Sequence, residues 1–101
     1  MTGVAFDPEA RAEFLAAVGY YEECRAGLGR RFREAVEAEV ESVRRMPFRF
    51  RVIHAPFRRC LIPKFPYSVI FSIEPRFILV VAVAHSKREP GYWRDRIERY
   101  R

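Results

Sequence analysis

The chain is short of the residues that would let it be stapled or anchored. Only two of its 101 residues are cysteine, Cys24 and Cys60. Their separation matches no metal-ligand spacing, and one pair is a weak basis for a disulfide framework. A reduced, cytoplasmic protein without metal or cofactor is therefore expected. The longest apolar run, Phe77 to Ala84, has eight residues. A membrane-spanning helix needs about 20, so no membrane partner is expected. The opening MTGVAFDPEA has neither a basic n-region nor an apolar core, so no signal peptide is expected. No internal repeat, linker or low-complexity segment divides the sequence, and residues 1–101 are expected to form one domain.

Acidic residues are scarce in one half only. Residues 1–46 carry seven Arg and nine Asp or Glu, a net −2. Residues 47–101 carry twelve Lys or Arg against four acids, a net +8. A basic field confined to one side of a small domain attracts polyanions or an acidic protein partner. Hydrophobic residues make up 50% of the chain, enough for a core in a domain of this size without staples.

The apolar pattern gives the elements. Val4, Ala5 and Phe6 read as an edge strand. Asp7-Pro8-Glu9 is a helix start: an N-cap, a proline pre-set for the first turn, and an acid facing the helix dipole. Ala10, Phe14, Ala17, Val18 and Tyr21 fall on one helical face. That helix should end between Cys24 and Ala26, ahead of Gly27-Leu28-Gly29. Leu28, Phe32, Val36, Val40 and Val43 mark a second helix, from Leu28 to Arg45, stopped by Pro47. From there the period shortens. Phe50 to His54 is a short strand or an extended connection ended by Pro56. Arg58 to Phe65 alternates in part, with Pro63 marking an edge or a bulge. Ser68 to Ile73 alternates cleanly, and Glu74-Pro75-Arg76 is a hairpin turn. Phe77 to Ala84 is apolar on both faces, which places it inside the sheet. The tail GYWRDRIERYR reads as a short basic helix or a frayed end.

This order predicts an α+β domain: an N-terminal edge strand and a helical hairpin, packed on one face of a mainly antiparallel twisted sheet, then a short C-terminal helix or tail. The other sheet face, with the groove between it and the tail, is left for function.

The segments YYEE…GLGRRF, RRCLIPKFPYSVIF and VVAVAHSKREPGYWRDR, in this order, resemble the RelE/ParE superfamily of toxins from type II toxin–antitoxin modules. The resemblance runs from Phe6 to Arg96, and FPY…VAVAH followed by YW is closer to the ParE-like sequence family. It implies growth inhibition of a bacterial host, with plasmid stabilisation among the module's roles. It also implies neutralisation by a cognate antitoxin encoded nearby, which lays helices and a strand across the toxin, and contact with operator DNA only through that antitoxin. ParE-like members poison DNA gyrase. RelE-like members cleave mRNA on the ribosome, and a degenerate member would bind its antitoxin alone.

Metal-independent cleavage beside a ribose 2′-OH needs a base, an acid and cations around the phosphate. Arg59, Lys64, His85, Arg88 and Tyr92 are the candidates for those roles. By resemblance, Arg59, Arg88 and Tyr92 match the Arg, Arg and Tyr of RelE-like nucleases. Only Lys64 stands where those nucleases have a lysine-rich strand, and this leans the reading toward gyrase. Each candidate also has a structural reading. His85 can end a strand with a ring nitrogen bonded to the backbone. Tyr92 and Trp93 can pack the tail on the sheet. Arg58 and Arg59 can form a solvated strand face, and Arg88 can pair with Glu89 or Glu74.

Overall fold

A computed structural model describes residues 2–101. Strand β1, Gly3–Phe6, leads into Asp7, which caps helix α1, Pro8–Cys24, by accepting the Glu9 N–H at 2.9 Å. Helix α2, Leu28–Arg45, has the limits that the apolar spacing and Pro47 set. Gly27 makes the turn between the helices at φ 89°, a backbone region that L side chains avoid. Glu22 reaches past this turn and accepts the N–H groups of Gly27 and Gly29, supplying the cap that α2 lacks on its own preceding residue.

Between Arg51 and His85 the second half is built of strands. A single 3-10 turn, Pro47–Arg49, leads to β2, Arg51–His54. Then come β3, Phe57–Leu61, β4, Tyr67–Ile73, and β5, Phe77–His85. The sheet order is β1-β5-β4-β3-β2, with β1 parallel to β5 and every other pair antiparallel. Strand β3 stops at Leu61, so Pro63 lies in the following turn and not at an edge or bulge within a strand. The bulges fall elsewhere, between Val52 and His54 and at the β4–β5 pairing. There Phe71 pairs with Val80 and Ile70 with Ala82, which leaves Val81 as the extra residue. The bulge resets the face alternation of β5. Ile78, Val80 and Val83 turn to the helices, and Leu79, Ala82 and Ala84 turn away. His85 is thus in phase with Val83 but not with Val81.

Both sheet faces are covered. The helical hairpin packs on one through Ala10, Ala17, Phe32, Val36 and Val43. Phe14, Tyr21, Phe32, Phe65 and Tyr67 form a continuous aromatic cluster there, with ring centroids 5.0–6.2 Å apart. The other face, expected to be open, lies largely under the tail. Trp93 is buried edge-on against Phe57 at 4.8 Å, and Tyr92 and Ile97 pack beside it. The tail then runs as a 3-10 helix, Arg94–Tyr100. Three arginines of this segment are tied down: Arg96 to Glu13, Arg99 to the buried Asp7, and Arg101, just past the helix, to Glu74. Apolar surface left by the sheet drives the covering, and the ion pairs fix where the tail sits. No helix among the described residues is long and apolar enough to cross a membrane.

Candidate functional site

The tail does not close the second face completely. At the C-terminal end of β5 it leaves a groove of about 170 Å³, walled by Arg59, Ser68, His85, Arg88, Tyr92 and Trp93. Arg59 enters from β3, where it lies opposite Ile70 on one side and Arg51 on the other. His85 is the last residue of β5, paired across the ladder with Tyr67. Its ring stands edge-on to the Tyr67 ring at 5.0 Å, and its Nδ1 accepts the Lys87 N–H at 3.0 Å. That bond leaves Nε2 to carry the hydrogen of the neutral ring. The chain then turns back, with Arg88 donating its N–H to the His85 carbonyl at 3.0 Å. This brings the Arg88 guanidinium over the Tyr92 ring, 3.8 Å from its centroid.

The wall behind Tyr92 is a buried ion pair. Glu13 of α1 accepts the Tyr92 hydroxyl at 2.8 Å, two bonds from Arg96 at 2.8 and 3.1 Å, and the Val83 N–H at 3.0 Å. Arg96 in turn donates to the Val81 carbonyl at 2.8 Å. Strand β1 ends at Phe6, opposite Val80. Beyond it, Glu13 and Arg96 take over backbone groups of β5 that β1 no longer meets. Burial and the bond to Glu13 together push the Tyr92 phenol well above its ordinary range. The Arg96 cation is favoured in spite of burial, because Glu13 is both acceptor and countercharge.

The sheet therefore gathers four of the five residues singled out in the sequence: Arg59, His85, Arg88 and Tyr92. Lys64 lies apart. It sits in the β3–β4 turn at φ 69°, beside Arg31, Tyr21 and Phe65. Arg88 pairs with neither Glu89 nor Glu74, and Glu74 is taken by Arg101 and Ser72. Glu13 and Arg96 escaped notice, because a Glu and an Arg on polar helical positions look like any solvated charges. Cys60 is buried and free, its thiol pushed up to about 12 by burial and by Glu39. It is in no state to act as a nucleophile. Among the described residues no group of three or more His, Cys, Asp or Glu stands ready to hold a metal.

A second depression lies on the opposite side of the molecule, in the angle between α1, α2 and the open edge of β1. Val4, Phe6, Phe14, Val36 and Val40 floor it, with Arg11, Glu37, Glu41 and Arg44 at its rim, over about 320 Å³.

Comparison with known families gives a match over residues 4–90 to the model of the ParE toxin of type II toxin–antitoxin systems, parDE. The chain belongs to the ParE toxin family. Among solved structures, a chain of the chromosomal ParDE toxin–antitoxin system from P. aeruginosa superposes with a TM-score of 0.65 at 16% identity, covering 84% of this chain and 96% of that one. At that identity the likeness speaks for the fold alone. No curated protein matches the chain. Membership in the ParE family implies an antitoxin partner. It also divides the site: Arg59, His85 and Arg88 lie within the matched residues, while Tyr92, Trp93 and Arg96 belong to the tail beyond them.

Proposed function

We propose that this ParE-family chain arrests bacterial growth by binding and poisoning DNA gyrase, and that a cognate antitoxin neutralises it. The observation carrying this reading is the commitment of the side chains that chemistry would need. The Tyr92 hydroxyl is donated to Glu13 and its phenol resists ionisation. Nδ1 of His85 is engaged by Lys87, and Lys64 stands outside the groove. A site short of a free base and a free acid suits binding better than strand cleavage. The antitoxin is assigned to the apolar depression beside β1. There an amphipathic segment would find Phe6, Phe14 and Val40 partly uncovered and a strand edge alongside. Contact with operator DNA is assigned to the antitoxin.

Expression of the chain alone should stop growth of a bacterial host, and co-expression of the neighbouring gene product should restore it. Harmless lone expression would leave antitoxin binding as its sole activity. Purified protein should block supercoiling by gyrase. A second reading, a ribosome-dependent endoribonuclease, is favoured by the convergence of Arg59, His85 and Arg88 on one groove. It requires mRNA cut in the ribosomal A site, and Arg88→Ala should then abolish cutting with the fold unchanged.

A further inference from the structure

The 32 residues from Ser42 to Ile73 contain six Arg, one Lys and no Asp or Glu. The fold concentrates much of this charge on the β2 margin of the sheet, whose outer side pairs with no strand. Arg51 and Arg59 lie directly opposite each other in the β2–β3 ladder. Like charges in that position repel. Neither has a carboxylate within ion-pair distance among the described residues, and neither do Arg45 and Arg49. Glu41, the acid closest to Arg45 and Arg49 in the chain, is engaged by Arg44. The same margin exposes large apolar side chains. Phe48 is 72% exposed and Val52 45% exposed. The Arg58 guanidinium lies 5.2 Å from the Phe48 ring centroid and donates to the Phe50 carbonyl, holding the 3-10 turn that displays the ring.

We propose that this margin binds single-stranded nucleic acid, with Arg45, Arg49, Arg51 and Arg59 along the phosphates and Phe48 as a platform for a base. Three features favour that occupant. The cations are all arginine, whose planar fork matches a phosphate. An exposed ring among them is what an unpaired base stacks on and a duplex backbone ignores. An acidic peptide added as a further strand would need a regular edge, and β2 has four residues with a bulge between Val52 and His54. The inference does not depend on gyrase or the ribosome as target.

The test is fluorescence anisotropy of the full chain with a labelled 12-mer of oligo-dT across a salt series. A 12-base-pair duplex and poly-glutamate serve as competitors. Binding should weaken as salt rises, and the duplex and poly-glutamate should compete poorly. The double variant Arg49→Ala/Arg51→Ala should bind about tenfold more weakly, its log–log salt slope flatter by about 1.4 at about 0.7 per phosphate contact. Phe48→Ala should weaken binding about tenfold at every salt concentration, and Phe48→Leu, which keeps an apolar side chain but removes the ring, should do the same. All the substituted side chains are exposed, so circular dichroism melts should match the parent. The proposal is overturned by the absence of binding. It is equally overturned if duplex or poly-glutamate competes as well as oligo-dT, or if the variants bind like the parent.

Discussion

Glu13 accepts four hydrogen bonds, one from β5 and three from the tail: the Val83 amide, the Tyr92 hydroxyl and two from the Arg96 guanidinium. Glu13 and Arg96 are both largely buried, with side-chain exposures of 17% and 11%. Removing one member of such a pair strands the other. Glu13→Ala should therefore cost about 3 kcal/mol of stability, read as a lower urea midpoint at unchanged slope. Tyr92→Phe leaves the ion pair in place and should cost about 1 kcal/mol. The four bonds to β5 and the tail that are lost with Glu13 make the first substitution the sharper probe of how the groove wall is held. None of this was legible in the sequence, where Glu13 and Arg96 stand 83 residues apart and fit no motif.

Among the elements, the two long helices were legible to within a few residues. Their limits rest on local chemistry: the Asp7 cap with Pro8, the left-handed Gly27, and the stop at Pro47. The Glu74-Pro75-Arg76 turn was legible for the same reason. The Val81 bulge was not. In a run buried on both faces every position is apolar, so no alternation records where the phase slips. Beyond Tyr92 and Trp93, the cover of the second face was not legible, because a 3-10 helix has no extended period to read and its fixings are ion pairs to distant residues. Of the site, Arg59, His85, Arg88 and Tyr92 came together because sheet register brings the ends of β3 and β5 to the same turn. Lys64 did not, because its strand ends three residues before it. One prediction belongs to the helical hairpin. A Cβ on Gly29 would stand 2.5 Å from the Val18 carbonyl oxygen. Gly29→Ala should push α2 off α1 and cost about 1–3 kcal/mol, measured by thermal or urea unfolding.

At the scale of the molecule, carboxylates on the body hold arginines on the tail, and this makes stability depend on pH. Burial alone would raise the Asp7 carboxyl. Bonds from Arg99, Tyr100 and the Glu9 amide overcome it and leave the group below its ordinary value of 3.8. Burial likewise opposes, and Arg101 with Ser72 outweighs, in lowering Glu74 from 4.5. A carboxyl depressed in the folded state contributes stability that is complete above its unfolded pKa and lost as pH falls through the folded one. The melting temperature should thus be flat from neutrality down to about pH 5 and fall below about pH 4. Asp7→Asn should melt lower at pH 7 and show a shallower acid limb. Deleting residues 94–101 removes the three paired arginines, Arg96, Arg99 and Arg101, and the Ile97 contact. It should lower the melting temperature and increase binding of an apolar dye, as cover is lost from Leu79 and Ala82.

The tail ties together residues far apart in the chain: Asp7 is satisfied by Arg99, 92 residues on, and Glu13 by Arg96, 83 residues on. Strand β1, likewise, has no partner until β5 has been synthesised. A nascent chain that stops short of Arg96 carries a buried-to-be carboxylate with no countercharge and a sheet face with no cover. The architecture is thereby completed late, once residues 94–101 have been made. A product cut short before Arg96 would hold every strand and both long helices, yet lack Arg96, Arg99 and Arg101, which fasten the tail.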